Sequence, residues 1–157
     1  MVGLLLLSGS VGTAREIDKP WIRGVFTGKS PRPVPAVETE AWQRASELAE
    51  NTPGAFVLVG SGRSMQPLYA PGTILVLQQL PYATIERGQT ALYRSKTQKV
   101  VAHVLVAKTR DGWRVTGLSN PIHDMEPVRP ENLVAIVIAA FQPLPGDRLV
   151  RVAAAGN

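Results

Sequence analysis

Apolar residues in this chain come mostly in short runs separated by Gly- and Pro-rich breaks, and a single stretch keeps helical spacing. Val37, Ala41, Trp42, Ala45, Leu48 and Ala49 fall on one stripe, the period of an amphipathic helix over about residues 37–51. Asn51-Thr52-Pro53-Gly54 ends it, because Pro and Gly do not continue a helix. Trp42 is read as the core anchor of that helix. Beyond it, apolar and β-branched runs predict strands at 55–59, 73–79, 90–95, 99–108, 113–117 and 133–141, with a weaker one near 148–153. Thr109-Arg110-Asp111-Gly112 reads as a hairpin turn, Asp-Gly supplying the positive dihedrals such turns use. The expected class is mainly β: a twisted, partly closed antiparallel fold with one N-terminal helix.

The first residues follow a different pattern. Val2-Gly3-Leu4-Leu5-Leu6-Leu7 leads into the small-x-small triplet Gly12-Thr13-Ala14, after which charge begins at Arg15-Glu16. Residues 1–14 therefore look like a signal peptide or a shortened anchor, below the roughly 20 apolar residues of a spanning helix. Residues 15–36 hold Pro20, Pro31, Pro33 and Pro35 with Gly24 and Gly28, and are expected as an extended linker. Residues 37–157 make up the helix and the β-rich domain.

Composition narrows the function. A chain of 157 residues, 45% hydrophobic, can bury one good core. Zero cysteines remove disulfides, zinc-thiolate sites and cysteine chemistry. The formal charge of +5 is spread over scattered Lys and Arg without interleaved aromatics, so no nucleic-acid partner is expected. A solvated basic surface that favours anionic lipid fits better.

Against this background one constellation carries chemistry. Ser64, in Ser61-Gly62-Arg63-Ser64-Met65-Gln66-Pro67, follows the apolar run Ala55-Phe56-Val57-Leu58-Val59, so a hydroxyl stands where a strand opens into a turn. His103 lies within Val100-Val101-Ala102-His103-Val104-Leu105-Val106, in phase with Val101 and Leu105, on a largely apolar face. Asp124 follows in Gly117-Leu118-Ser119-Asn120-Pro121-Ile122-His123-Asp124. A serine hydroxyl needs a base within hydrogen-bond reach, and a neutral imidazole held by a carboxylate supplies one. His103 competes for that role with His123, and Asp124 competes with a plain loop or capping aspartate. Met65 would pack beneath the site, and the Ser64 backbone N–H is a candidate oxyanion donor. No metal or cofactor is called for.

From Ser64 to Val137 the chain resembles the type I signal peptidases, especially their histidine-base branch. The resemblance rests on Ser64-Met65-Gln66-Pro67, Pro71-Gly72 before an apolar strand, and Gly88-Gln89 before a second. It continues through Ala102-His103-Val104, Gly117-Leu118-Ser119-Asn120 with Asp124, and Pro130-Glu131-Asn132-Leu133-Val134-Ala135. It implies a mostly β peptidase fold related to the LexA-type self-cleaving repressors, with the active site at a sheet edge. It also implies a serine endopeptidase that cuts exported preproteins after small residues on the outer face of the cytoplasmic membrane. Signal peptides or other extended peptides are then the partners, near a membrane surface. Phe56, Val57 and Leu58 would receive the substrate by strand addition, with Gly62 and Met65 beside it. The chain has Gln89, Val104 and Leu118 where the family carries Asp, Arg and Asp, and Gly62 where it carries a supporting serine. Relatives that use a lysine base carry it at the His103 position, so Lys96 and Lys99 are expected to be solvated. The competing classes are an inactive peptidase-like binding module and a LexA-type self-cleaving regulator.

Overall fold

The computed structural model describes residues 21–145; the expected signal-like segment 1–14 and the strand near 148–153 lie outside them. The described chain is mainly β with one α-helix. Its elements are β1 (Trp21–Ile22), β2 (Val25–Phe26), β3 (Val34–Ala36), α1 (Glu38–Glu50), β4 (Ala55–Val59), β5 (Ile74–Gln78), β6 (Thr90–Arg94), β7 (Val100–Thr109), β8 (Gly112–Thr116) and β9 (Leu133–Pro143). β1 and β2 form a small hairpin, and the remaining seven strands form one sheet in the order β4-β5-β9-β6-β7-β8, with β3 also on β9. All pairs in that sheet are antiparallel except β3 with β9, which is parallel. The sheet does not close into a barrel.

Two-residue alternation sets the layers. On β5, Ile74 and Val76 face the side covered by α1, where they pack with Ala41, Ala45 and Phe141. Leu75 and Leu77 face the opposite side, packing with Met65, Tyr69, Leu92, Val104, Leu118 and Val137. Across β6, β7 and β8 a further cluster gathers Ala91, Tyr93, Leu105, Trp113 and Val115. The helix approaches closely because its buried positions are the alanines Ala41 and Ala45, both fully buried. Trp42 is 40% exposed and so is not the core anchor expected from the stripe. The helix contributes only small alanines to this layer, the bulk coming from Ile74, Val76 and Phe141 on the sheet.

Residues 21–36, read as linker, are built into the domain. Pairing of Val34–Ala36 with Phe141–Pro143 gives this stretch a backbone ladder. The Ser30 hydroxyl, buried, donates to the Gly88 carbonyl and shares a 2.8 Å hydrogen bond with Thr90 Oγ1. Tyr69 donates its phenolic proton to the Pro31 carbonyl. Phe26 closes over Gly88, whose φ is +88° and where a Cβ would stand 2.6 Å from the Phe26 ring. Prolines in this stretch fit because their missing N–H groups are not needed at an edge. The expected 109–112 turn is present, but only Gly112 in it has positive φ, and Arg110 and Asp111 keep negative φ.

Ser30→Ala should destabilise the protein by about 1–3 kcal/mol, because it strips a buried carbonyl and a buried hydroxyl of their partner. Denaturant unfolding of both proteins measures this. An unchanged midpoint would mean that the Ser30 hydroxyl bonds contribute nothing to the fold.

Candidate active site

Ser64 stands in a turn that several backbone bonds tighten. Leaving β4, the chain is held by Gly60 N–H to the Thr73 carbonyl and Gly72 N–H to the Gly60 carbonyl. Gln66 and Tyr69 donate back to the Arg63 and Met65 carbonyls. Met65, 5% exposed, roots the turn in the core. A second loop, after β8, fastens to the first: Ser119 donates its N–H to the Ser64 carbonyl at 2.9 Å and its hydroxyl to the Arg63 carbonyl at 2.8 Å. Ser119 therefore fixes the backbone on which Ser64 sits. Arg23, at the β1–β2 turn, donates in turn to the Ser119 carbonyl.

His103 occupies the middle of β7, 5% exposed. Its cross-strand neighbour on β6 is Ala91, a residue small enough to leave the imidazole room. Nε2 lies 3.0 Å from Ser64 Oγ, and Nδ1 is hydrogen-bonded to Asp124 Oδ2. That second bond fixes the tautomer: Nδ1–H donates to the carboxylate, leaving Nε2 to accept the serine proton. Gly117 makes this geometry sterically feasible, since a Cβ there would stand 2.9 Å from His103 Nε2 and 2.7 Å from Asn120 Nδ2. Asp124 is placed by its own N–H, which donates to the Val115 carbonyl, and its Oδ2 also accepts the Tyr93 hydroxyl at 2.6 Å. Burial acts to raise the Asp124 pKa, but hydrogen bonds from His103 and Tyr93, with the charges of His103 and His123, outweigh it. The carboxyl is held below its ordinary range.

The expected residues divide clearly. Ser64, His103 and Asp124 come together in a hydrogen-bonded chain, whereas His123, Lys96 and Lys99 are exposed. Gly62, Met65 and Leu58 line a cavity of about 370 Å³ that opens beside Ser64. Phe56 and Val57 are not among its lining residues: Phe56 packs into the core cluster beneath Met65, and Val57 points to the α1 side of the sheet. Val59 and Gly60 line the cavity in their place. The departures from the signal-peptidase pattern have local explanations. Val104 and Leu118 are buried in the core, and the Gln89 side chain accepts from the Glu86 N–H, closing the turn before β6.

Tyr93, Ser119 and the steric role of Gly117 are not announced by the sequence. The cross-strand register that aims Tyr93 at Asp124 appears only once β6 and β7 are paired. No protein-family model matches this chain, and no curated protein matches it.

Gly117→Ala should break the Ser64–His103 hydrogen bond, because the new methyl would press on Nε2. Labelling of Ser64 by a fluorophosphonate probe should then fall sharply; labelling at the wild-type rate would contradict the packing described. Asp124 gives a second test, through pH. Its pKa is depressed in the folded state, so its stabilisation is present above the ordinary carboxylate range of roughly 4 and is lost as pH falls through the folded value. Asp124→Asn cannot titrate. The stability difference between wild type and Asp124→Asn should therefore shrink on acidification below about pH 4, and denaturant titrations at several pH values measure it. A constant difference would mean that Asp124 ionisation is not coupled to folding.

Proposed function

We propose that this protein is a serine endopeptidase of the signal-peptidase type, cutting extended peptides after small side chains. The observation that carries the reading is the chain of contacts from Ser64 Oγ to His103 Nε2, 3.0 Å, and from His103 Nδ1 to Asp124. In the reaction, Ser64 Oγ attacks the scissile carbonyl while His103 Nε2 takes its proton. Asp124 holds the ring and stabilises the imidazolium as it forms. The oxyanion is met by backbone N–H groups of the Ser64 turn. The imidazolium then returns its proton to the leaving amine, and a water activated by the same Nε2 hydrolyses the acyl-enzyme.

Substrate preference follows from the surroundings. The cavity beside Ser64 has Leu58, Met65, Leu75 and Leu92 in its walls and Gly60 and Gly62 at its mouth, which suits a short apolar side chain. Among the described residues β4 pairs only with β5, so its outer edge is available for a peptide to add as a strand. Signal sequences ending in small residues fit these requirements, and such substrates would be met on the outer face of the cytoplasmic membrane. Among the described residues no helix is long and apolar enough to cross a membrane.

Ser64→Ala and His103→Ala should each abolish cleavage of an Ala-x-Ala reporter peptide while leaving a folded protein. Because the two groups act as one unit, the double variant should be no slower than either single. Ser64 labelled by a fluorophosphonate, with no peptide cut, would favour a different acyl substrate. A wild-type protein that neither labels nor cleaves would be a binding module.

A further inference from the structure

Tyr93 has no part in the mechanism above, yet it contacts its least replaceable joint. It is 3% exposed on β6, paired across the strands with Val101, two residues before His103. That diagonal puts the phenol on the same face as the imidazole. The two rings meet edge to face with centroids 6.3 Å apart. The Tyr93 hydroxyl donates at 2.6 Å to Asp124 Oδ2, the same oxygen that accepts His103 Nδ1–H. Burial, followed by the hydrogen bond to Asp124 and its negative charge, pushes the phenol pKa far above its ordinary value. The group is therefore a permanent donor.

We propose that Tyr93 is a positioning residue whose hydroxyl pins the Asp124 oxygen that orients His103, and thereby sets the pH range in which His103 can act as base. The inference rests on the peptidase reading for its catalytic consequence, though not for the coupling itself. One oxygen shared by two donors gives each a weaker bond than it would give one alone. Tyr93 therefore limits how strongly Asp124 stabilises the imidazolium, while preventing the carboxylate from swinging away. Other charged groups surround the carboxylate: His123 and Glu126 on its own loop, Lys96 in the β6–β7 turn, Arg114 on β8, and Asp111 and Arg129 across an open cavity. Among the described residues only His103 and Tyr93 hydrogen-bond to the Asp124 side chain. The surrounding charges shift the local potential in both proteins alike, and only the hydroxyl is deleted in Tyr93→Phe.

That variant keeps the ring and its packing. With the second donor gone, Asp124 should hold the imidazolium more tightly, so protonation of His103 should persist to higher pH. The acid limb of the kcat/KM profile should move up by about 0.5–1 pH unit. At the pH optimum kcat should fall about three- to tenfold, with KM little changed, since Tyr93 is not part of the cavity wall. The His103 ring signal, followed by NMR against pH, should show the same upward displacement without any substrate present. In an Asp124→Asn background, Tyr93→Phe should move neither quantity, because the effect is transmitted through that carboxylate. Should Tyr93→Phe fold poorly, Tyr93→Met supplies a smaller, flexible apolar side chain without the hydroxyl, and the His103 ring titration in that variant carries the test.

Lower stability with an unmoved acid limb and an unmoved ring titration would reduce Tyr93 to a structural residue and overturn the inference. A displaced ring titration in a protein that cuts no peptide would uphold the Tyr93 coupling while removing the endopeptidase reading.

Discussion

A histidine in the middle of a buried strand needs partners for both ring nitrogens, because an unsatisfied polar atom in an apolar layer costs about 1–3 kcal/mol. His103 is that residue here, and its two requirements organise the molecule around it. Nδ1 calls for an acceptor, which obliges the loop after β8 to bring Asp124 over the strand. Nε2 calls for a second partner, which the Ser64 turn supplies. Satisfying a buried imidazole thus brings a serine hydroxyl, an imidazole and a carboxylate into one hydrogen-bonded chain. The polar chain runs out through Tyr93 to a neighbouring strand, so every donor in it ends on an acceptor.

The support for this chain is mainly backbone. Ser119 ties the loop carrying Asp124 to the turn carrying Ser64 by two hydrogen bonds, and Arg23 ties the N-terminal hairpin to Ser119. Stretches separated widely in sequence therefore share one rigid corner. Val104 and Leu118 are buried in the core, and the loop is held to the Ser64 turn by Ser119, with Gly117 leaving room for the imidazole.

Local residues made much of this readable in advance. Turn signals and apolar runs located the six strands β4 to β9 to within two residues at either end, because short buried strands and Gly-rich turns leave direct marks, whereas β1, β2 and β3 fell in the stretch read as linker. Ser64 and His103 each break a local apolar pattern, but it was the resemblance resting on Ser64-Met65-Gln66-Pro67 that singled them out together. What stayed hidden depends on packing between elements. Trp42 shares the stripe of Ala41 and Ala45, but how deep a helix sinks into a sheet is not written in its period. Val57 alternates correctly with Leu58, yet which side holds the cavity depends on where the Ser64 turn folds back. Prolines at 31, 33 and 35 resemble those of a linker, although an edge segment tolerates them equally well. Tyr93 looks like any aromatic in a strand until its register against β7 is known.

The strand order has one more consequence, for biosynthesis. β4, which leads into the Ser64 turn, and β7, which carries His103, lie on opposite sides of β9, and β9 comes last among the described strands. Until residues 133–143 have left the ribosome and slotted between β5 and β6, the sheet exists only as two separate halves. Such long-range insertion is a late step in folding. The order of the strands thus makes the meeting of Ser64 and His103 wait on β9, and with it whatever reactivity that encounter confers.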